Sequence, residues 1–299
     1  MPVETKHKSI LIDPREAGPK PPYGNRRQPM PGSEDEMQPQ ADHGEQSYKG
    51  CGKLEGTSAL ITGADSGIGR AVAIAYAREG ADVLISYLNE HDDAEETAAL
   101  VREAGRKAVT VAGDIGSREH CEELVKRATR EFGSLDLLVS NAAMQTVRED
   151  IDSWSPEEFD RTYKTNVYAM FYLCRAALPK MPPGSSIIAT TSVQAFQPTG
   201  TLLAYSSTKG AIRTFIQGLA ELAIEHGVRA NAVAPGPVWT PLIPSTMPQD
   251  KVKEFGKNTL FGRAAQPAEL APAYVFLASN DARYITGSVI DVTGGRQLP

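Results

Sequence analysis

Ser58-Ala59-Leu60-Ile61-Thr62-Gly63-Ala64-Asp65-Ser66-Gly67-Ile68-Gly69 is the stretch on which the fold turns. SALITG (58–63) reads as a short buried strand. Gly67 to Glu79 reads as a helix, with Ile68, Val72, Ala75 and Tyr76 at helical spacing and Gly80 ending it. The glycines between them are spaced G-x-x-x-G-x-G. Gly63 permits a tight turn, Gly67 lets a diphosphate approach the backbone, and Gly69 lets helix and strand touch. The free N–H groups and positive end of the new helix attract an anion there. A glycine-rich turn can also be a turn and nothing more. What favours a dinucleotide is that this one leaves a strand and opens a helix, as the mechanism requires. The residues of the turn that would face a cofactor are Gly63, Asp65, Ser66, Gly67, Ile68 and Gly69.

Outward from this turn the same alternation continues. DVLISY (82–87), KAVTVAG (107–113), LDLLVS (135–140), SSIIATTS (185–192), RANAVAPG (229–236) and SVIDVTGG (288–295) read as strands. Helices are expected from about Asp92 to Ala104, Glu119 to Phe132, Pro156 to Ala177, Tyr205 to His226 and Pro267 to Ala278. The strands are too apolar to leave one face in water, so helices should cover both faces of a parallel sheet. The expectation is α/β: a doubly wound, Rossmann-type sheet of about seven strands in one domain, residues 55–299.

Residues 1–54 have a different texture. Eight of the 21 prolines fall in the first 50 residues, where Val3, Ile10, Leu11 and Ile12 are the whole complement of Leu, Ile, Val and Phe. Such a segment cannot by itself bury enough apolar surface to offset the entropy of ordering it, so it should be extended or disordered unless it docks. Tyr23, Met30, Met37 and Tyr48 are its available anchors.

The rest of the composition excludes more than it selects. The net charge is -6, which does not supply the clustered Lys and Arg of a nucleic-acid partner. Mean hydropathy is -0.30 and no apolar run reaches membrane-spanning length. Cys51, Cys121 and Cys174 are too few and scattered for a disulfide framework or a zinc site, and no metal site is expected. The apolar cluster Ile10-Leu11-Ile12 is too short for a signal peptide, so a cytoplasmic location is the expectation. The five histidines are scattered, and neither a G-x-S-x-G nor an H-E-x-x-H motif occurs.

At the end of the second strand, where a carboxylate normally holds the adenine ribose of NAD, the chain reads Ser86-Tyr87. No Arg or Lys stands there to neutralise a ribose 2′-phosphate; Arg70 is already inside the first helix. The cofactor is therefore NAD or NADP, with a slight lean to NAD. Asp114-Ile115, after the third strand, lies where an acidic side chain can reach the adenine amine, although Asp114 can equally start the next helix.

Tyr205-Ser206-Ser207-Thr208-Lys209 opens the helix after the fifth strand. Tyr and Lys four residues apart share a helix face. A cation beside a phenol lowers a pKa ordinarily near ~10, which would ready Tyr205 as a general acid/base toward an alcohol or carbonyl. Ser192, at the preceding strand end, can polarise a substrate oxygen. Asn141-Ala142-Ala143 lies at the carboxyl edge of the sheet, where ligands bind in open α/β folds. Asn166 stands mid-helix, where Asn is a poor helix former and a polar task is plausible.

Together TGADSGIG, NAA, Asn166, Ser192, YSSTK and the Pro235-Gly236 loop with Thr240 resemble the short-chain dehydrogenase/reductase family over about residues 56–295. The segment DHGEQSYKGCGKLEG and the phrase APGPVWTPLIP further resemble an N-terminally extended subgroup of glucose/ribitol dehydrogenase-like and general stress oxidoreductases. The resemblance implies Tyr205 as acid/base, Lys209 as the group that lowers its pKa and binds the nicotinamide ribose, Ser192 as substrate-positioning, and Asn166 as holder of a relay water. It implies cofactor contacts at Asn141, Ala142 and Ala143, at Pro235, Gly236, Val238 and Thr240 near the nicotinamide, and a homotetramer. The usual N-N-A-G reads Ser140-Asn141-Ala142-Ala143 here, a departure that removes no catalytic group.

Substrate is expected under a mobile lid from about Pro241 to Phe261, with Met144, Gln145, Val193, Gln194, Phe196, Gln197 and Trp239 as candidate walls. A sugar, a polyol or a small aldehyde would suit them. The alternatives are a 3-oxoacyl thioester reductase and, in another class, a cofactor-binding stress sensor or scaffold without turnover.

Overall fold

The computed structural model describes residues 11–24 and 26–296. Seven parallel strands form one sheet in the order β3-β2-β1-β4-β5-β6-β7. They are β1 (Ser58–Thr62), β2 (Asp82–Tyr87), β3 (Ala108–Ala112), β4 (Leu137–Ser140), β5 (Ser186–Thr190), β6 (Arg229–Pro235) and β7 (Val289–Val292). Each run of β-branched and apolar residues is short and has a glycine shortly before it, which favours a strand over a helix of the same hydrophobicity. Ala59, Leu60 and Ile61 are fully buried, as are Leu84 and Ile85 opposite them. Burying an Ile or Leu side chain contributes about 1.5–3 kcal/mol.

Helices cover both faces. On one, α1 (Gly67–Arg78), α2 (His91–Glu103) and α9 (Ala271–Ala278) pack through Val72, Tyr76, Val101 and Tyr274. On the other, α3 (Arg118–Phe132), α5 (Ala169–Ala177) and α6 (Leu203–Ala223) pack through Leu124, Met170, Leu173 and Ile216. This is the doubly wound Rossmann-type sheet expected. Its strand order reverses between β1 and β4, so a crevice opens at the carboxyl ends of those two strands, directly at Gly63.

Two departures from the sequence reading matter for the site. The single helix expected over 156–177 is α4 (Pro156–Tyr163), then a π turn at Lys164–Tyr168, then α5. Ser155 caps α4 by accepting from the Glu158 N–H at 3.1 Å, with Pro156 in its first turn. Chain beyond β6 forms two short helices, α7 (Leu242–Thr246) and α8 (Gln249–Lys253).

Residues 11–24 and 26–54 contain no helix or strand and lie along the body. Tyr23, Met37 and Leu54 are buried, whereas Met30, Leu11 and Ile12 are exposed. Tyr23 stacks on Trp239 with ring centres 4.3 Å apart. The pair joins Met37, Ile243, Val252 and Ala264 in a small third core between extension and lid. Farther along, the Arg78 guanidinium donates to the carbonyls of Gly44, Glu45 and Tyr48. The Glu79 carboxylate accepts from the Tyr48 hydroxyl and from the Cys51 and Lys53 N–H groups. Val3 and Ile10 lie outside the described residues.

Candidate active site

The glycine turn is built as a cradle. Gly63 and Gly67 have φ of +63° and +51°, in the left-handed region that L side chains rarely adopt. A Cβ on Gly69 would fall 1.9 Å from the Gly63 carbonyl oxygen, so only glycine lets α1 start this near β1. Asn141 fastens the turn to the neighbouring strands. Its Nδ2 donates to the Thr62 and Gly63 carbonyls at 3.2 and 3.3 Å, and its Oδ1 accepts from Thr190 Oγ1 at 3.1 Å.

Above this turn runs a cavity of about 1120 Å³. Gly63, Asp65, Ser66, Gly67, Ile68, Tyr87, Asp114 and Ile115 line one end, and Asn141, Ala142 and Ala143 the middle. Ser192, Tyr205, Lys209, Pro235, Gly236, Val238 and Thr240 line the other. The fit to a dinucleotide is direct: an elongated space whose floor is a glycine turn at a helix N-terminus. Of the expected catalytic and cofactor residues, Gly69 and Asn166 do not face the cavity. Gly69 lies behind the turn. Asn166 is buried in the π turn, a geometry that recurs at functional sites.

Asn166 holds two elements in register. Its Oδ1 accepts from the Met144 N–H at 2.8 Å, and its Nδ2 donates to the Met144 carbonyl at 2.9 Å and to Thr208 Oγ1 at 3.0 Å. It therefore clamps the wall beside the substrate end to the second turn of α6.

Tyr205 and Lys209 lie one turn apart on α6. The Lys209 ammonium is buried, donates to the Thr190 carbonyl at 2.7 Å, and sits 5.3 Å from the centre of the Tyr205 ring. Burial pulls the Lys209 amine down to about 7. Burial also pushes the Tyr205 phenol up to about 12, against the pull of the Ser192 hydroxyl hydrogen-bonded to it. Burial, and not Lys209, sets the direction in which the phenol is shifted. Desolvation disfavours the charged form of each group, which moves the two in opposite directions.

Asp65 is buried at the glycine-turn end of the cavity. Burial raises its carboxyl to about 7, and the carboxylates of Asp93 and Glu34 add to the shift. Arg70, the nearby cation, is buried and paired with Glu96. Asp114 pairs with Arg161 at 2.6 Å and accepts from the Gly116 N–H at 2.8 Å. Ser117, not Asp114, caps α3, accepting from the His120 N–H at 3.2 Å.

Of the expected substrate walls, Met144, Gln145, Val193 and Gln194 line the cavity. Trp239, Phe196 and Gln197 do not. Trp239 is turned to Tyr23 and donates its indole N–H to the Pro39 carbonyl at 2.8 Å. Phe196 lies under the Arg213 guanidinium, 4.5 Å away. Among the described residues the three cysteines are unbridged and no helix is long and apolar enough to cross a membrane.

A family model described as enoyl-(acyl carrier protein) reductase matches residues 63–297. General stress protein 39 of Bacillus subtilis is 48% identical over 266 residues, covering 89% of this chain and 93% of its own. The chain belongs to the short-chain dehydrogenase/reductase family. The glucose and ribitol dehydrogenase of Daucus carota is 43% identical over 276 residues, covering 90% of this chain and 95% of its own. A Burkholderia cenocepacia short-chain dehydrogenase in complex with NADP superposes with a TM-score of 0.76 at 28% identity, covering 81% of this chain and 98% of its own. As a short-chain dehydrogenase/reductase the chain is an oxidoreductase that uses a nicotinamide dinucleotide.

Sequence reasoning missed several residues of this short-chain dehydrogenase/reductase site. Met30 and Pro31 of the extension line the cavity. The hydroxyl of Ser86, at the end of β2, is fully buried there with no partner. Glu34 reaches the glycine turn itself. No local pattern announces these residues, because each meets its partner through the tertiary fold.

Proposed function

We propose that the protein interconverts a secondary alcohol, of sugar or polyol type, or a small aldehyde or ketone with its carbonyl or alcohol partner, as a cytoplasmic homotetramer. The observation that carries this reading is the meeting of Tyr205, Ser192 and Lys209 at one end of a cavity floored by the glycine turn. The nicotinamide supplies or accepts the hydride when bound. Ser192 holds the substrate oxygen, and Tyr205 gives it a proton in reduction and takes one in oxidation. Lys209, whose amine burial pulls down to about 7, can take up or release a proton near neutral pH, while Asn166 holds the wall beside it in register through Met144 and Thr208. The carboxamide of Gln145, which donates to Thr246 Oγ1 at 2.7 Å, and that of Gln194 offer a polyol hydrogen-bonding partners.

NAD is favoured over NADP. The lining residues from Asp65 to Asn89 include no Lys or Arg, and Asp65 would repel a 2′-phosphate. The exposed rings of Phe159, Tyr168 and Phe171 along 156–177 support assembly through that stretch. The deciding experiment follows NADH and NADPH at 340 nm (a wavelength of the reagents) with sugars, polyols, aldehydes and 3-oxoacyl thioesters. Turnover of a hydroxyl or simple carbonyl compound is expected. Turnover of thioesters alone would shift the reading to an acyl reductase, and tight cofactor binding without any turnover would make the protein a sensor.

A further inference from the structure

The extension reaches the dinucleotide turn with a charged side chain. Glu34 is buried, and its Oε1 accepts from the Gly67 N–H at 2.6 Å while facing His43 Nε2 at 2.9 Å. Its second oxygen, Oε2, is buried with no hydrogen-bond partner. The Glu34 N–H donates to Asp93 Oδ2 on α2 at 3.0 Å, which fixes the segment against the body. Gly67 opens α1, so its N–H is one of the donors that the helix itself leaves free. A bond from it to a carboxylate is charge-assisted and stronger than a neutral one.

The same segment also holds the lid. Pro31 lines the cavity and its carbonyl accepts from Ser245 Oγ at 3.2 Å. Gly32, at φ +89°, lies so near α7 that a Cβ would fall 2.7 Å from the Pro241 carbonyl oxygen. Thr240, just before α7, in turn packs on Gly67, where a Cβ would meet its Cγ2 at 2.9 Å. Glycine turn, strap and lid base therefore form a closed ring of contacts around one end of the cavity.

We propose that residues 26–39 are a positioning element of the dinucleotide site: Glu34 holds the glycine turn through Gly67 while Pro31 and Gly32 hold the lid, so that cofactor binding and lid order are coupled through one strap. The proposal rests on the dinucleotide reading above. A carboxylate beside a diphosphate would repel it, and His43 offsets that charge. Burial pulls His43 down, but Glu34 and Glu45 on either side raise it to about 9, so it is protonated at neutral pH.

The test uses the full chain as wild type, Glu34→Ala and Glu34→Gln. NADH and NADPH affinities are measured by calorimetric titration, and amide exchange is measured with and without NADH. Glu34→Ala should weaken NADH binding about tenfold or more, the loss expected for a hydrogen bond to a charged group. Glu34→Gln keeps a neutral acceptor for Gly67 and should fall between the two, losing about threefold. In wild type, NADH should slow exchange across 28–37 and 241–247 as well as 62–70. An unchanged affinity in Glu34→Ala, an equal loss in both variants, or NADH protection confined to 62–70 overturns the proposal. If Glu34→Ala does not fold, the wild-type exchange pattern decides by itself. A wild type that binds neither cofactor overturns the dinucleotide reading, and the strap proposal falls with it.

Discussion

Lys209 lies beneath the ring of Tyr205, its ammonium 5.3 Å from the ring centre and bonded to the Thr190 carbonyl at 2.7 Å. The carbonyl fixes where the Lys209 amine sits beside the phenol. Proton transfer at the substrate oxygen then falls to the phenol, with Ser192 as its hydrogen-bonding neighbour.

Tyr205→Phe keeps the ring and removes the proton donor. We expect kcat to fall by about 10²–10⁴ on any substrate found. Calorimetry should give an NADH affinity within about twofold of wild type, because the ring's packing is retained. Equal turnover by the two proteins would remove Tyr205 from the chemistry.

Gly67→Ala puts a methyl group at φ +51° and 2.9 Å from Thr240 Cγ2. The left-handed backbone by itself costs about 1–2 kcal/mol. Urea unfolding should report a loss of at least that size, and NADH affinity should drop by about tenfold as the turn shifts. A variant as stable and as tight-binding as wild type would show that the turn need not be as narrow as it is.

Asp65→Asn removes a carboxyl that burial raises to about 7, so its charge is felt most above that pH, and the titrations are run at about pH 8. The ratio of NADPH to NADH affinity should rise by about tenfold, the equivalent of ~1.4 kcal/mol of relieved like-charge repulsion. Parallel titrations of the two cofactors read it out. A ratio that does not move would place the 2′ position away from Asp65.

His43 makes stability depend on pH. Its folded value of about 9 lies above the ordinary 6.5, so the folded protein holds a proton that the unfolded chain has lost between those limits. The stabilisation is complete below pH 6.5 and disappears as pH rises through 9. It amounts to roughly 3 kcal/mol for such a shift. Urea midpoints from pH 6 to 9.5 should fall in wild type, and the part of that fall due to this group should be missing in His43→Gln. Parallel slopes in the two proteins would contradict the buried ion pairs of His43 with Glu34 and Glu45.

The sheet was legible because its strands are short apolar runs, each with a glycine shortly before it. Asp82–Tyr87 stands where its residues place it, and β1 and α1 flank a turn that glycine alone can make. The break at Lys164–Tyr168 was not legible, since apolar spacing does not distinguish a helix with one wide turn from a continuous one. Asn166 was picked out for being a poor helix former, and it occupies that turn. Trp239 was misread as a cavity wall because it adjoins Thr240; its ring is instead claimed by Tyr23 from the other end of the chain. Glu34 and His43 gave no signal at all. A buried charged pair looks like any solvated one until the fold brings Gly67 to it.

The stacking of Tyr23 on Trp239 also gives the molecule an optical gauge. Of its two tryptophans, Trp239 is 1% exposed, so its emission should be blue relative to an indole in water. Peeling the N-terminal segment away would wet that indole and redden the spectrum, letting attachment be followed in real time with no dye.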